Sequence, residues 1–468
     1  MSQVGSEMNP LRVAIIGAGP AGFYAAERLL KEKGLVVEID IYDRLPTPFG
    51  LVRAGVAPDH QKIKSVTKVF EKSLQQPNVR FFGNVELGKH VSVADLTEHY
   101  HQILYSTGAQ TDRNLNIPGI DLKNSHPATD FVAWYNGHPD FRNYEFDLNQ
   151  ERVAVIGIGN VALDVARILC RTPNELMQTD IADYALAALS ASKVKEVVVL
   201  GRRGPAQAAF TTPEIKELGE MEDADIYVPP EETELDELSQ ASLADVDRAT
   251  MRKVEIIQSY GGRPSTGKSR KLTVRFLVSP TELFGDDTGH VTGMRLVKNE
   301  LYATDSGSLR PRTTDQFEEI PVDLVFRSIG YLGVPLPGVP FNESWGVILN
   351  EKGRVHESGY NRPMIGHYTA GWIKRGPSGV IGTNKPDATE TVELMLKDLA
   401  AGNYLRPSSP EVDAAIAMVH DHQPDVVRYA DWQYLDEMEL ARGQEQGRPR
   451  MKYTDVAEMI SVLRNRNR

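Results

Sequence analysis

Cysteine is nearly missing from this sequence, since Cys170 is the single one in 468 residues. A lone thiol excludes an internal disulfide, a CxxC redox pair, a thiolate zinc site and a cysteine-ligated iron–sulfur cluster, because each needs two or more. Cys170 falls on the apolar side of a helical segment and reads as core filler. Long apolar runs are missing too. None approaches the roughly 18 to 20 residues that span a bilayer, and Met1 to Pro10 is polar with no apolar signal core. Together these absences lead us to expect a reducing, cytoplasmic location. Excess positive charge is also lacking: 52 Lys and Arg face 64 Asp and Glu, for a net charge of -12. Such a balance argues against unaided binding to nucleic acid or an anionic membrane. With 41% hydrophobic and 25% charged residues the chain has the composition of a folded enzyme, and its length calls for two or more domains.

What is present is a repeated strand, glycine turn and helix. Leu11 to Ile16 is apolar and β-branched, ends in Gly17-Ala-Gly19-Pro-Ala21-Gly22, and opens into a helical segment running to Leu30. Val36 to Tyr42 reads as the next strand and stops at Asp43, about 26 residues after Gly17. In a βαβ unit of this kind Gly17 permits the sharp turn, Gly19 lets the backbone approach a pyrophosphate, and Gly22 lets helix and strand pack closely. Asp43 is placed to accept hydrogen bonds from ribose hydroxyls, and a 2′-phosphate there would meet like charge. The second copy, Gly157-Ile-Gly159-Asn160-Val161-Ala162, follows the strand beginning at Arg152, with alanine in place of the third glycine. Its next strand, Glu196 to Leu200, ends at Gly201-Arg202-Arg203, whose guanidinium forks suit a 2′-phosphate and point to NADP. The distance from Gly157 to Arg202 is about 45 residues, so this assignment requires the Ala-rich helical stretch around Ile181 to Leu189 to be an addition to the unit.

Two dinucleotide units, one acidic and one basic at the diagnostic position, indicate a flavoprotein in which FAD receives hydride from NADPH. One cysteine excludes a disulfide relay, which leaves a one-electron carrier, oxygen or a small substrate as the outlet. Segments Ile103 to Gly108 and Leu324 to Gly330 each read as a strand leaving one domain for another. We therefore expect an α/β chain with two Rossmann-like dinucleotide-binding domains, the NADP domain inserted into a discontinuous FAD domain. The boundaries are 1–110 and 328–402 for the FAD domain, 111–327 for the NADP domain, and 403–468 for a polar extension with no legible chemistry. The acidic stretch Glu214 to Asp247 reads as a solvated helix, and Gly261 to Lys271 as a hairpin loop.

The stretch Leu45-Pro-Thr-Pro-Phe-Gly-Leu-Val-Arg-Ala-Gly-Val-Ala-Pro-Asp-His60, with Phe82-Gly-Asn-Val85, Gly201-Arg-Arg-Gly204 and Gly371-Trp-Ile-Lys-Arg-Gly-Pro-Ser-Gly-Val-Ile-Gly-Thr383, closely resembles the adrenodoxin-reductase-like ferredoxin–NADP reductases, especially the actinobacterial form. The resemblance covers roughly residues 10 to 400. It implies FAD contacts at Ala21, Asp43, Leu51, Val85, Trp372, Gly379, Val380 and Ile381, and NADP contacts at Arg113, Asn160, Val161, Arg202, Arg203, Glu214 and Gly379. Asp43 stands where the family usually has Glu, which shortens the reach to the ribose. The resemblance also places His60, Asp164 and Glu217 near the meeting point of flavin and nicotinamide, as residues that tune hydride transfer. Read on their own, Trp372 is equally a core residue, His60 a turn residue, and the 375–379 loop an ordinary lead into a helix. The expected activity is hydride transfer from NADPH to FAD, then single-electron transfer to a ferredoxin-type iron–sulfur protein. A diaphorase, oxidase or flavin monooxygenase, and a non-catalytic nucleotide sensor, remain as alternatives.

Overall fold

The computed structural model describes residues 3–243, 247–359 and 362–466. It resolves into two compact units, the first made of Met1–Val56, His60–Thr111 and Tyr331–Arg468, the second of Ala57–Asp59 and Asp112–Gly330. Both are α/β structures on parallel sheets.

In the first unit the strand Leu11–Ile16 is buried along its whole length. It pairs in parallel with Val37–Tyr42 on one side and Gln102–Tyr105 on the other. Val79–Phe82 extends one edge and Pro363–Thr369 the other, after which Arg354–His356 and Asn350–Glu351 turn antiparallel. Strands buried on both faces read as continuous apolar runs, which is why the first strand was visible in the sequence. The helix Pro20–Leu30 starts with proline at a position where its missing N–H is harmless. It buries Phe23, Ala25, Ala26 and Leu29 against the sheet and the helix Asn384–Ala401.

The polar extension belongs to this core. It forms helices Val412–His422, Tyr429–Glu445 and Val456–Arg466. Trp432, Leu435, Met459 and Leu463 join the same apolar cluster as the first strand. Buried Glu439 accepts from Arg53 and Arg450 and from the Tyr453 amide. The guanidiniums hold its carboxyl below the usual range against the opposing effect of burial.

The second unit repeats the plan with strand order Ser125–Pro127, Leu324–Arg327, Arg152–Ile156, Glu196–Leu200, Arg270–Arg275, Ala224–Tyr227. Two departures from the sequence reading lie here. The acidic stretch from Glu214 contains the edge strand Ala224–Tyr227 as well as helices, and Glu214 and Glu232 are buried within it. Residues 261–269 join the helix Arg248–Ser259 to a strand parallel to Ala224–Tyr227, so they form a crossover connection and no hairpin. A separate antiparallel sheet, Val278–Gly285, Val291–Ala303 and Leu309–Pro321, completes the unit.

Candidate functional site

The first glycine turn is tight at Gly17 and Gly22 and open at Gly19. Gly17 has φ +109°, and a Cβ there would lie 2.7 Å from the Ser106 carbonyl oxygen. A Cβ on Gly22 would come within 2.4 Å of the Gly17 carbonyl oxygen, so the helix lies as close to the strand as glycine allows. Gly19 differs, because a Cβ there would meet nothing within 4 Å. It is also the N-cap of Pro20–Leu30 and has no side-chain cap, so open space faces the amides of a bare helix start. Asp43 accepts from the Ala18 amide at 2.9 Å and from the Leu45 amide at 3.0 Å. Burial raises its pKa, with these amides opposing the shift. Each carboxylate oxygen keeps a second lone pair for a hydroxyl.

Several other predicted flavin contacts gather around this turn. A Cβ on Gly50 would sit 3.1 Å from the Gly19 Cα, which places Leu51 directly beside it. The Phe49 amide donates to the Ala18 carbonyl, and Phe49 holds φ +84°, a conformation that costs a non-glycine residue about 1–3 kcal/mol. Ring contacts to Phe23, Phe70 and Trp432 hold it there. Ala21 touches the backbone at Gly371, where a Cβ would come within 2.7 Å of the Ala21 methyl. Trp372 begins the short helix that follows, stacks on Tyr331 at 5.7 Å and donates to the Ser378 carbonyl. Arg375 ties the loop together by donating to Ser378 and Asn384. Leu51 and Val380 are 39% and 48% exposed, apolar surface that a planar ring would cover. Gly379 is exposed and Ile381 packs partly into the core. Val85 is buried, with its amide donating to the Asp43 carbonyl.

The second turn has the same form. Gly157 has φ +132°, and a Cβ would fall 2.0 Å from the Ser328 carbonyl oxygen, whereas one on Gly159 would meet nothing within 4 Å. Gly159 is the uncapped N-cap of the helix Asn160–Cys170. Asn160 accepts from the Thr211 amide, Val161 packs against the core, and Glu214 is buried in the first turn of Thr212–Leu218. At the end of the neighbouring strand Arg202 is exposed and Arg203 half-buried, and among the described residues neither has an ion-pair partner. Burial and the adjacent Arg202 charge both push the Arg203 pKa down. Arg113 is exposed, with its amide donating to the Gly330 carbonyl.

Asp164 and Glu217 meet at a residue not singled out in the sequence. Arg167 is fully buried and donates to Asp164 at 2.7 Å and to Asp59 at 2.7 and 3.0 Å, and its third nitrogen lies 3.7 Å from Glu217. Arg171 also donates to Asp59. Burial opposes the Arg167 charge, but the carboxylates outweigh it and raise its pKa. The shared guanidinium holds both carboxylates in place. His60 follows Asp59 in the chain and is the N-cap residue of Gln61–Lys64.

Residues 11–217 match the family described as pyridine nucleotide-disulphide oxidoreductase. NADPH-ferredoxin reductase FprA of Mycobacterium leprae is 45% identical over 96% of this chain and 98% of its own length. The mitochondrial NADPH:adrenodoxin oxidoreductase of Arabidopsis thaliana is 38% identical over 97% of this chain and 96% of its own. A solved structure of Mycobacterium tuberculosis FprA in complex with NADPH superposes with a TM-score of 0.91 at 44% identity, over 97% of this chain and all of that one. The chain belongs to the NADPH-ferredoxin reductase family.

Within an NADPH-ferredoxin reductase fold the lone thiol is inert. Cys170 is buried, and burial pushes its pKa up to about 12. Arg167 is the residue of this buried charge cluster that sequence reasoning missed. An arginine seven residues into a helix reads as solvated, and its only signal was Asp164 one turn earlier, a spacing that also describes an ordinary surface pair.

Proposed function

We propose that this protein is an FAD-dependent NADPH-ferredoxin reductase whose first unit holds FAD and whose second holds NADP(H). FAD, when bound, takes up a hydride from NADPH and releases its electrons singly to a one-electron acceptor. The chain's part is to bind and orient. The amides at Gly19, Ala21 and Gly22 would receive the flavin pyrophosphate, Asp43 a ribose, and Leu51, Trp372 and the Gly379–Ile381 loop the ring system. Gly157–Val161 would receive the second pyrophosphate, with Arg202 and Arg203 on the 2′-phosphate and Arg113 and Glu214 beside it. Asp164 and Glu217, oriented by Arg167, would shape the polar surroundings of the reacting rings, with His60 available to exchange a proton with solvent. The acceptor is a ferredoxin-type iron–sulfur protein, and the enzyme works in the cytoplasm, a location in keeping with its unpaired, buried thiol.

The observation that carries this reading is an arginine pair that meets no carboxylate among the described residues, beside an open glycine turn. Anaerobic reduction by NADPH and NADH in parallel, followed by addition of a ferredoxin, tests it. Wild type should strongly prefer NADPH and pass electrons to the ferredoxin. Replacing Arg202 and Arg203 by Ala should weaken NADPH by about 2–4 kcal/mol, roughly 30- to 1,000-fold, after discounting for the exposure of Arg202, and leave NADH nearly unchanged. A wild-type preference for NADH, or protein purified without flavin absorbance, would overturn it.

A further inference from the structure

A third cation packs on the loop that follows the arginine pair. Lys253, in the helix Arg248–Ser259, is 9% exposed, and its ammonium donates to the Ala208 carbonyl at 2.5 Å. It lies 5.9 Å from the centre of the Phe210 ring. Ala208 and Phe210 belong to the loop that leaves Arg203, and the amides of Ala209 and Phe210 both donate to the Ile158 carbonyl, inside the Gly157–Gly159 turn. The lysine therefore grips the backbone that joins the arginine pair to the pyrophosphate turn.

Its charge is not neutralised locally. No carboxylate lies within ion-pair distance of Lys253, Arg202 or Arg203 among the described residues. Asp247, the carboxylate whose field reaches Lys253, is the N-cap of the same helix and accepts from the Thr250 amide. Burial lowers the lysine pKa, with the Asp247 charge opposing the shift and the Arg203 charge adding to it. Like charges around one loop repel, and an anion bound at that loop would relieve the repulsion.

We propose that Lys253 completes the 2′-phosphate subsite, adding a third positive charge and clamping the 204–210 loop, so that it is a positioning and specificity residue for NADP(H) over NAD(H). This rests on the reading of Arg202 and Arg203 given above. Main-chain capture by the ammonium fixes the loop geometry, and the unneutralised charge strengthens the field at the phosphate.

The test is binding of 2′,5′-ADP and 5′-ADP, measured by calorimetry on the FAD-loaded protein. Lys253→Gln keeps a donor for the Ala208 carbonyl and removes the charge. It should weaken 2′,5′-ADP about tenfold and 5′-ADP less than about twofold, and Lys253→Arg should restore most of the loss. Equal weakening of both ligands, or of neither, overturns the proposal. The Arg202→Ala, Arg203→Ala protein is measured alongside. If its loss falls equally on both ligands, the 2′-phosphate reading itself is wrong; if its loss falls on 2′,5′-ADP while that of Lys253→Gln does not, only the role of Lys253 falls. For a variant that does not fold, acetylation of wild-type holoenzyme gives a second readout. Bound 2′,5′-ADP should protect Lys253 well beyond 5′-ADP, and equal protection counts against the proposal.

Discussion

The two glycines of the second turn should respond in opposite ways to an added methyl group. Gly157→Ala puts an L-residue at φ +132° with its Cβ 2.0 Å from the Ser328 carbonyl oxygen. Backbone strain of about 1–3 kcal/mol and overpacking of about 1–3 kcal/mol predict a loss of roughly 2–6 kcal/mol. Gly159→Ala has neither problem. Its φ of -104° and ψ of 175° are ordinary extended backbone, and its Cβ meets nothing within 4 Å. The expected stability change is only the poorer N-cap, about 0.5–1 kcal/mol. The same methyl group occupies the space proposed for a pyrophosphate, and displacing the anion from one or two amides should remove about 2–4 kcal/mol of NADP(H) binding. Thermal melting without nucleotide, followed by titration with NADP⁺, separates the two effects. Gly157→Ala should melt several degrees low, while Gly159→Ala should melt near wild type and bind NADP⁺ at least about thirtyfold more weakly. Wild-type affinity in Gly159→Ala would refute the idea that this open space receives the phosphates.

Arg167→Met should strand Asp59 and Asp164 without their shared guanidinium and destabilise the second unit by about 3–5 kcal/mol, read from urea unfolding. An unchanged midpoint would mean that the pair contributes little. Burial pushes the His367 pKa down to about 4, so the unfolded chain takes a proton below about pH 6.5 while the folded chain does not. The stability that His367 contributes is thus present above about pH 6.5 and lost as the pH falls toward 4, on the order of 3 kcal/mol in all. His367→Gln should flatten that part of the urea-midpoint profile, and an identical profile would discount the histidine. Finally, a thiol reagent should find no reactive cysteine in the folded enzyme and one after denaturation, as the buried Cys170 requires.

Much of the nucleotide-binding framework could be read directly, because its determinants are local. Each βαβ start is a short apolar run, a glycine turn and a helix start, all within about 20 residues. The arginine pair was legible at the end of Glu196–Leu200 only by allowing an insertion, which the structure shows as helices Pro173–Met177 and Asp183–Ser190. What stayed hidden depends on packing between distant residues. Arg167 carries no local mark of its burial, and Ala224–Tyr227 was masked by acidic neighbours whose carboxylates face inward to Arg275 and the backbone in one case, Glu232. The helices after residue 403 looked polar because their apolar faces are narrow, and only the folded core shows where Trp432 and Leu435 go.

The contact between Glu439 and Arg53 has a bearing on biosynthesis. The ion pair joins residues 386 positions apart. On the ribosome, the peptide around Phe49 and Arg53 is made early yet must wait for almost the entire message to be read before Trp432 and Glu439 exist to hold it. Asp112–Gly330, by contrast, is a nearly continuous stretch with its own apolar clusters, available for folding while the remainder is still being translated. A nascent chain stalled before Trp432 would therefore lack the clasp that holds the Phe49 turn.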